Sequence, residues 1–89
     1  MLIPFYTNQF EKDLKRMLRR EKSEKKIKDV LRKLINEERL EVRHKDHNLI
    51  GNFKGRRECH IEPDWLLIYK AMEREIIFER TGTHSDLFE

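Results

Sequence analysis

Cysteine, proline and glycine are scarce in this chain, at one, two and three of its 89 residues. The lone cysteine, Cys59, has no partner for an internal disulfide, so the thiol content gives no sign of secretion. No apolar run approaches the roughly 20 residues that a membrane-spanning helix needs. Residues Met1 to Tyr6 are partly apolar but lack the basic start and long apolar stretch of a signal peptide. A cytoplasmic location with no membrane partner is the expectation. Repeats, linkers and low-complexity segments are missing as well, and the length suits one domain spanning 1–89. Compact ligand pairs such as C-x-x-C or H-E-x-x-H are also absent. No metal or other cofactor is therefore expected.

Charge is what the chain has in abundance. Charged residues make up 42% and hydrophobic residues 37%, with a mean hydropathy of −0.89. The net charge is +3 and the isoelectric point about 9.1. Its distribution is uneven. Lys12 to Lys33 holds eleven basic and four acidic side chains, and Arg43 to Arg57 holds five and one. The remainder is acidic. Two basic stretches on a small domain fit a polyanionic partner such as RNA.

The apolar residues are periodic, which indicates a folded domain. Ile3-Pro4-Phe5-Tyr6 reads as a short strand, placed at an edge because Pro4 cannot donate to a ladder. Thr7 or Asn8 can cap a helix, and Asn8-x-x-Glu11 resembles a capping box. Phe10, Leu14, Met17 and Leu18 then predict a helix from about Asn8 to Glu21. Ser23 can cap a second helix, whose stripe of Ile27, Val30, Leu31, Leu34 and Ile35 ends near Asn36. Glu37 to Gly51 reads as a connector, and Asn52-Phe53-Lys54 as a short strand entry. From Arg57 to Ile61 the pattern alternates, with Cys59 and Ile61 on one side and Glu58, His60 and Glu62 on the other. Pro63-Asp64 suits a turn. Trp65 to Tyr69 reads as a central strand, Ala71 to Arg74 as a turn, and Glu75 to Arg80 as a strand with Ile76 and Phe78 on one face. Thr81-Gly82-Thr83 should break it, with one helical turn in the tail. The expected fold class is α+β, in the order β-α-α-β-β-β. Two helices would cover one face of an antiparallel sheet of about four strands and leave the other face partly open.

All four histidines lie beyond the helices. His44 reads as a surface loop residue. A meander could bring His47, His60 and His84 together with Asp64 on the face away from the core. Imidazole exchanges protons near neutral pH. RNA cleavage needs a base to activate the 2′-OH, cations to stabilise the phosphorane, and an acid for the 5′-oxygen. Lys45, Lys54, Arg56, Arg57 and Arg80 are candidates for phosphate contacts. His60 could equally be a plain strand histidine, Asp64 a turn former and Trp65 a core residue. Cys59 should be a small buried residue.

Three segments are more specific. They are Lys45-Asp46-His47-x-Leu49-x-Gly51, Glu58 to Tyr69 with its His60-x-x-x-Asp64-Trp65 core, and Arg80-Thr81-Gly82-Thr83-His84-Ser85-x-Leu87-Phe88. Together they resemble the YafQ-type branch of the RelE/ParE toxin superfamily. The resemblance implies a helix-backed sheet and a toxin that cuts translated mRNA on the 70S ribosome without metal. It implies a cognate antitoxin, and contact with operator DNA only through the antitoxin complex. The matching catalytic positions are His47, His60, Asp64, Trp65, His84 and Phe88, with Trp65 and Phe88 expected to help hold the RNA or the tail. This set departs from RelE itself, which relies on basic residues and a tyrosine. A non-catalytic or gyrase-directed toxin of the same fold is the alternative.

Overall fold

In the computed structural model, which describes residues 1–88, both expected helices form. They are α1, Asn8–Arg19, and α2, Glu24–Ile35. Thr7 caps α1 by accepting the Phe10 N–H, and the same hydroxyl donates to the Glu79 carbonyl. One residue thus starts the helix and fastens it to the sheet. Ser23 caps α2 by accepting the Lys26 N–H.

The strands are β1, Ile3–Tyr6; β2, His47–Asn48; β3, Arg57–Glu62; β4, Trp65–Ala71; and β5, Glu75–Gly82. They form one sheet in the order β1-β5-β4-β3-β2. The β3-β4-β5 meander is antiparallel, as expected. Two features differ from the expectation. β1 runs parallel to β5, with Ile3 opposite Glu75 and Tyr6 opposite Phe78, so the sheet is mixed. The two-residue β2 adds a fifth strand beside β3. Such a short strand has no periodicity to find. β5 also continues through Thr81 to Gly82, because these residues pair with Leu67 and Leu66. The last element is α3, His84–Phe88. Single 3-10 turns at Val42–His44 and Gly51–Phe53 punctuate the connector, and the second stands where a strand entry was expected. Among the described residues no helix is long and apolar enough to cross a membrane.

Alternation along β3 and β4 divides the interior in two. Cys59, Ile61, Trp65, Leu67 and Tyr69 join Phe10, Met17, Ile27, Val30, Leu34, Ile76 and Phe78 beneath the helices. Trp65 is fully buried, and its indole N–H donates to Thr81 Oγ1, which donates onward to the Leu66 carbonyl. Leu66 and Ile68 point to the other face, where Leu87 of α3 covers them and Leu49 and Phe53 pack alongside. That face is thus less open than expected.

Candidate active site

The second face presents three imidazoles in a row. His47 is on β2, His60 on β3, and His84 opens α3. The His47 and His60 ring centroids are 6.4 Å apart, and those of His60 and His84 are 5.9 Å apart. Phe88 continues the line at 6.5 Å from His84 and meets Phe53 edge-on at 5.6 Å. A bulge in β3 between His60 and Glu62 carries the chain into the turn that holds Asp64.

Each ring is aimed by its Nδ1. His84 Nδ1 is 2.6 Å from Asp64 Oδ1, and the His84 backbone N–H donates to the same oxygen at 2.9 Å. These contacts, the backbone one first, hold the Asp64 carboxyl below its ordinary range. The ionised carboxylate orients His84 with Nε2 outward. His47 Nδ1 lies 2.6 Å from the Lys45 carbonyl, and His60 Nδ1 lies 3.2 Å from the Pro63 carbonyl. A carbonyl only accepts, so both Nδ1 atoms carry hydrogens and donate them there, which leaves Nε2 as the second polar atom of each ring. The carbonyl of Lys45 is aimed by a left-handed backbone (φ 45°).

Charge from the helices holds these pieces in place. Asp86, two residues after His84, is bound by Arg20 at 2.7 Å and lies 3.4 Å from Arg16. Its carboxylate also accepts the Thr83 N–H, while Thr83 Oγ1 accepts the Asp86 N–H. This reciprocal cap starts α3. Arg20 first, then Thr83, keeps the Asp86 carboxyl far below the usual range. Glu62, two residues after His60, is held by Lys22 and Lys26 at 2.9 and 3.0 Å, which also lowers its pKa. The basic end of the helical hairpin therefore rims the histidine row. Gly82 is needed for close approach, since a Cβ there would stand 2.9 Å from Asp86 Cβ.

The structure brings His47, His60, Asp64, His84 and Phe88 together. It does not bring Trp65 to the surface, because the ring lies in the main core; its place is behind the site, bracing β4 against β5. Three basic candidates are engaged with carboxylates. Arg56 pairs with Glu79 at 2.6 Å, Arg57 with Asp46 at 3.2 Å, and Arg80 with the buried Asp13 at 2.7 Å. Asp46 also accepts the Tyr69 hydroxyl at 2.6 Å, which secures the loop before His47. Lys45 and Lys54 are exposed. His44 is not the surface residue expected from its loop. It is 6% exposed, with Nδ1 2.6 Å from the His60 carbonyl, so it props β3 from behind. Cys59 is buried as expected, and burial raises its thiol pKa, so it does not act as a nucleophile at neutral pH. Sequence reasoning passed over Glu58. This buried carboxylate has Oε1 3.5 Å from His47 Nε2 and 3.4 Å from His60 Nε2. Its alternation partner His60 was the available signal. Among the described residues no group of three or more His, Cys, Asp or Glu is arranged to hold a metal ion. A groove of about 660 Å³ runs past Leu40, Val42, Tyr69 and Met72, and no histidine lines it.

The family model for a bacterial toxin of the type II toxin–antitoxin system, YafQ, matches residues 3–89. The chain belongs to the YafQ family. It is 46% identical over 84 residues to the mRNA interferase toxin YafQ of Escherichia coli K12, covering 93% of this chain and 91% of that protein. The crystal structure of YafQ from E. coli strain BL21(DE3) matches with a TM-score of 0.95 at 42% identity, over 100% of both chains. The E. coli DinJ–YafQ toxin–antitoxin complex matches at 0.92 with 44% identity, covering 99% of this chain and 98% of that one. The motif resemblance and the helix-backed α+β fold are thus borne out. YafQ-family membership also joins the three segments in one scaffold: the turns and strand ends that carry them are where the histidines converge.

Proposed function

We propose that this chain is the mRNA interferase of a toxin–antitoxin module, a ribosome-dependent endoribonuclease working by metal-independent acid–base catalysis. The observation that carries this reading is the row of three imidazoles, each held through Nδ1, with Asp64 gripping His84. His60 or His47 takes the proton from a 2′-OH. The 2′-oxygen attacks the adjacent phosphorus. His84, held through Nδ1 by Asp64, protonates the departing 5′-oxygen. The products are a 2′,3′-cyclic phosphate and a 5′-OH. Lys45 and Lys54 supply charge to the phosphorane. Phe88, 45% exposed and next to His84, offers a surface for a base to stack on. Arg56, Arg57 and Arg80 shape the strands from which these groups project, and Arg16, Arg20, Lys22 and Lys26 hold Asp86 and Glu62 beside them.

The E. coli relative is called an mRNA interferase and another similar structure is a complex with the antitoxin DinJ, which supports a cognate antitoxin here. In this reading the protein works in the cytoplasm on message in the 70S ribosome, and meets operator DNA only through the antitoxin complex. Primer extension on a defined mRNA tests it, with and without translating ribosomes and with and without a chelator. Codon-phased cuts that need ribosomes, ignore the chelator and end in cyclic phosphate are expected. Cuts on free RNA would discard the ribosome step. Loss of cutting with the chelator would discard the metal-free mechanism. Untouched RNA beside altered DNA topology in a gyrase assay would favour a gyrase-directed toxin.

A further inference from the structure

His44 is the histidine that stands outside the row, and the cleavage mechanism leaves its ring unused. It is 6% exposed, and its Nδ1 lies 2.6 Å from the His60 carbonyl. A carbonyl only accepts, so Nδ1 carries a hydrogen and Nε2 is the remaining polar atom. Among the described residues this ring pairs with no carboxylate, unlike the rings of His47, His60 and His84. No buried side-chain nitrogen is left without a partner among those residues, so Nε2 must open onto the pocket that the ring lines.

That pocket, of about 250 Å³, lies between α2, the 3-10 turn at Val42–His44 and β3. Four cations line it: Lys26, Arg32 and Lys33 from α2, and Arg43 from the turn. Two carboxylates, Asp29 and Glu41, are among them, which leaves a positive excess. Glu41 is shared by Arg43 at 3.3 Å and Lys33 at 3.7 Å, and Asp29 lies 3.6 Å from Arg32. Tight charge-assisted bonds measure about 2.7–2.9 Å. These exposed pairs are looser and weak, so a multidentate anion can displace them. Lys26 is held more closely, at 3.0 Å from Glu62, two residues after His60.

A phosphate group suits such a lining, because its oxygens accept from several donors at once. The oxygens of a phosphodiester only accept. They need a donor at Nε2, which a cationic imidazole supplies. The lining cations oppose charge on the ring, and a phosphate among them reverses that. On the β3 side only Ile61 and the His60 carbonyl face it.

We propose that this pocket is a phosphate-binding site, with His44 as its buried donor and a backbone phosphate of RNA as its occupant. RNA is favoured because the pocket continues the basic rim of the histidine row: Lys26 belongs to both. RNA as occupant rests on the nuclease reading, whereas the phosphate site itself does not.

The test is NMR on the wild-type protein, following the His44 ring and the Arg43 amide. Three ligands are added at matched ionic strength: sodium chloride, inorganic phosphate, and a 2′-O-methyl oligoribonucleotide, which lacks the attacking hydroxyl and stays uncut. Phosphate and the oligonucleotide should give saturable shifts at both residues and compete with each other. The oligonucleotide should also raise the titration midpoint of His44 by about half a unit, since a ligand that prefers the cation stabilises it. Arg43 is 73% exposed, so Arg43→Glu should fold. It should weaken oligonucleotide binding on the order of tenfold, and Lys12→Glu, the same charge change on α1 outside the pocket, by about twofold or less.

Saturation by phosphate with no response to the oligonucleotide would overturn RNA as occupant and assign the site to free phosphate. Shifts that track ionic strength alike for all three ligands would overturn the site. So would equal losses in Arg43→Glu and Lys12→Glu, which mark a diffuse field, or a His44 midpoint that bound RNA leaves unmoved. These readouts need no cleavage. A protein that binds the oligonucleotide here and cuts nothing on ribosomes supports the site and sinks the nuclease reading alone.

Discussion

The two faces of the sheet use alternate residues of the same strands, yet they are assembled differently. Beneath the helices, Trp65, Leu67, Ile76 and Phe78 are essentially without solvent contact, and the packing is apolar. On the opposite face Leu66, Ile68 and Leu87 make a small patch, and around it the structure depends on hydrogen bonds and ion pairs. Carbonyls aim His47 and His60, Asp64 aims His84, and helix cations hold Glu62 and Asp86. In an 89-residue domain one strand must therefore serve both ends. At β3, Cys59 and Ile61 join the core beneath the helices while Glu58 and His60 face the histidine row. Substitutions on the two faces should separate stability from activity.

The largest loss of stability should come from the helix-covered face. Phe78→Ala opens a cavity among Tyr6, Phe10 and Tyr69 and should cost about 3–5 kcal/mol in urea denaturation. Cleavage should fall only as the folded fraction falls. Asp64→Asn, on the other face, keeps an acceptor for His84 but replaces one carboxylate oxygen with an amide and removes the charge. Cleavage near neutral pH should drop on the order of a hundredfold, with the melting temperature unchanged. A shared loss of stability and activity in Asp64→Asn would break the division between the faces.

How much of this division was legible in the sequence follows from how local each signal is. The helices, their caps at Thr7 and Ser23, and the alternation of β3 are set by residues within a few positions, and periodicity reveals them. The parallel pairing of β1 with β5 joins residues about seventy positions apart, and no local pattern encodes it. His47, His60, Asp64 and His84 were found through chemistry and motif. His44 and Glu58 were not, because a polar residue in a loop or on the outward side of a strand reads as exposed until the tertiary structure buries it. Arg56, Arg57 and Arg80 read as phosphate ligands because sequence shows a charge but not its partner.

Smaller effects refine the comparison. In Gly82→Ala the added methyl meets Asp86 Cβ at 2.9 Å. α3 must move, and with it His84. Single-turnover cleavage should fall on the order of tenfold, because reacting groups tolerate little misplacement, while the melting temperature drops by only a few degrees. Asp86→Asn tests the ion-pair scaffold. The folded-state pKa of Asp86 is depressed, chiefly by Arg20. Its contribution to stability is complete above the ordinary carboxylate range and fades as pH falls below it. Denaturation between neutral pH and about pH 3 should therefore show wild type losing stability more steeply than Asp86→Asn. Parallel curves would contradict the role given to this pair.

The most direct test of the central claim, that the wet face does the chemistry and the dry face holds the fold, is single-turnover cleavage of ribosome-bound mRNA by His84→Ala, with its thermal unfolding measured on the same preparation. His84 is half-exposed, so the melting temperature should stay at the wild-type value. Cleavage should fall about 10²–10⁴-fold, the range for loss of a general acid or base. Cleavage by His84→Ala at the wild-type rate would contradict the account and place the reacting groups elsewhere on the molecule.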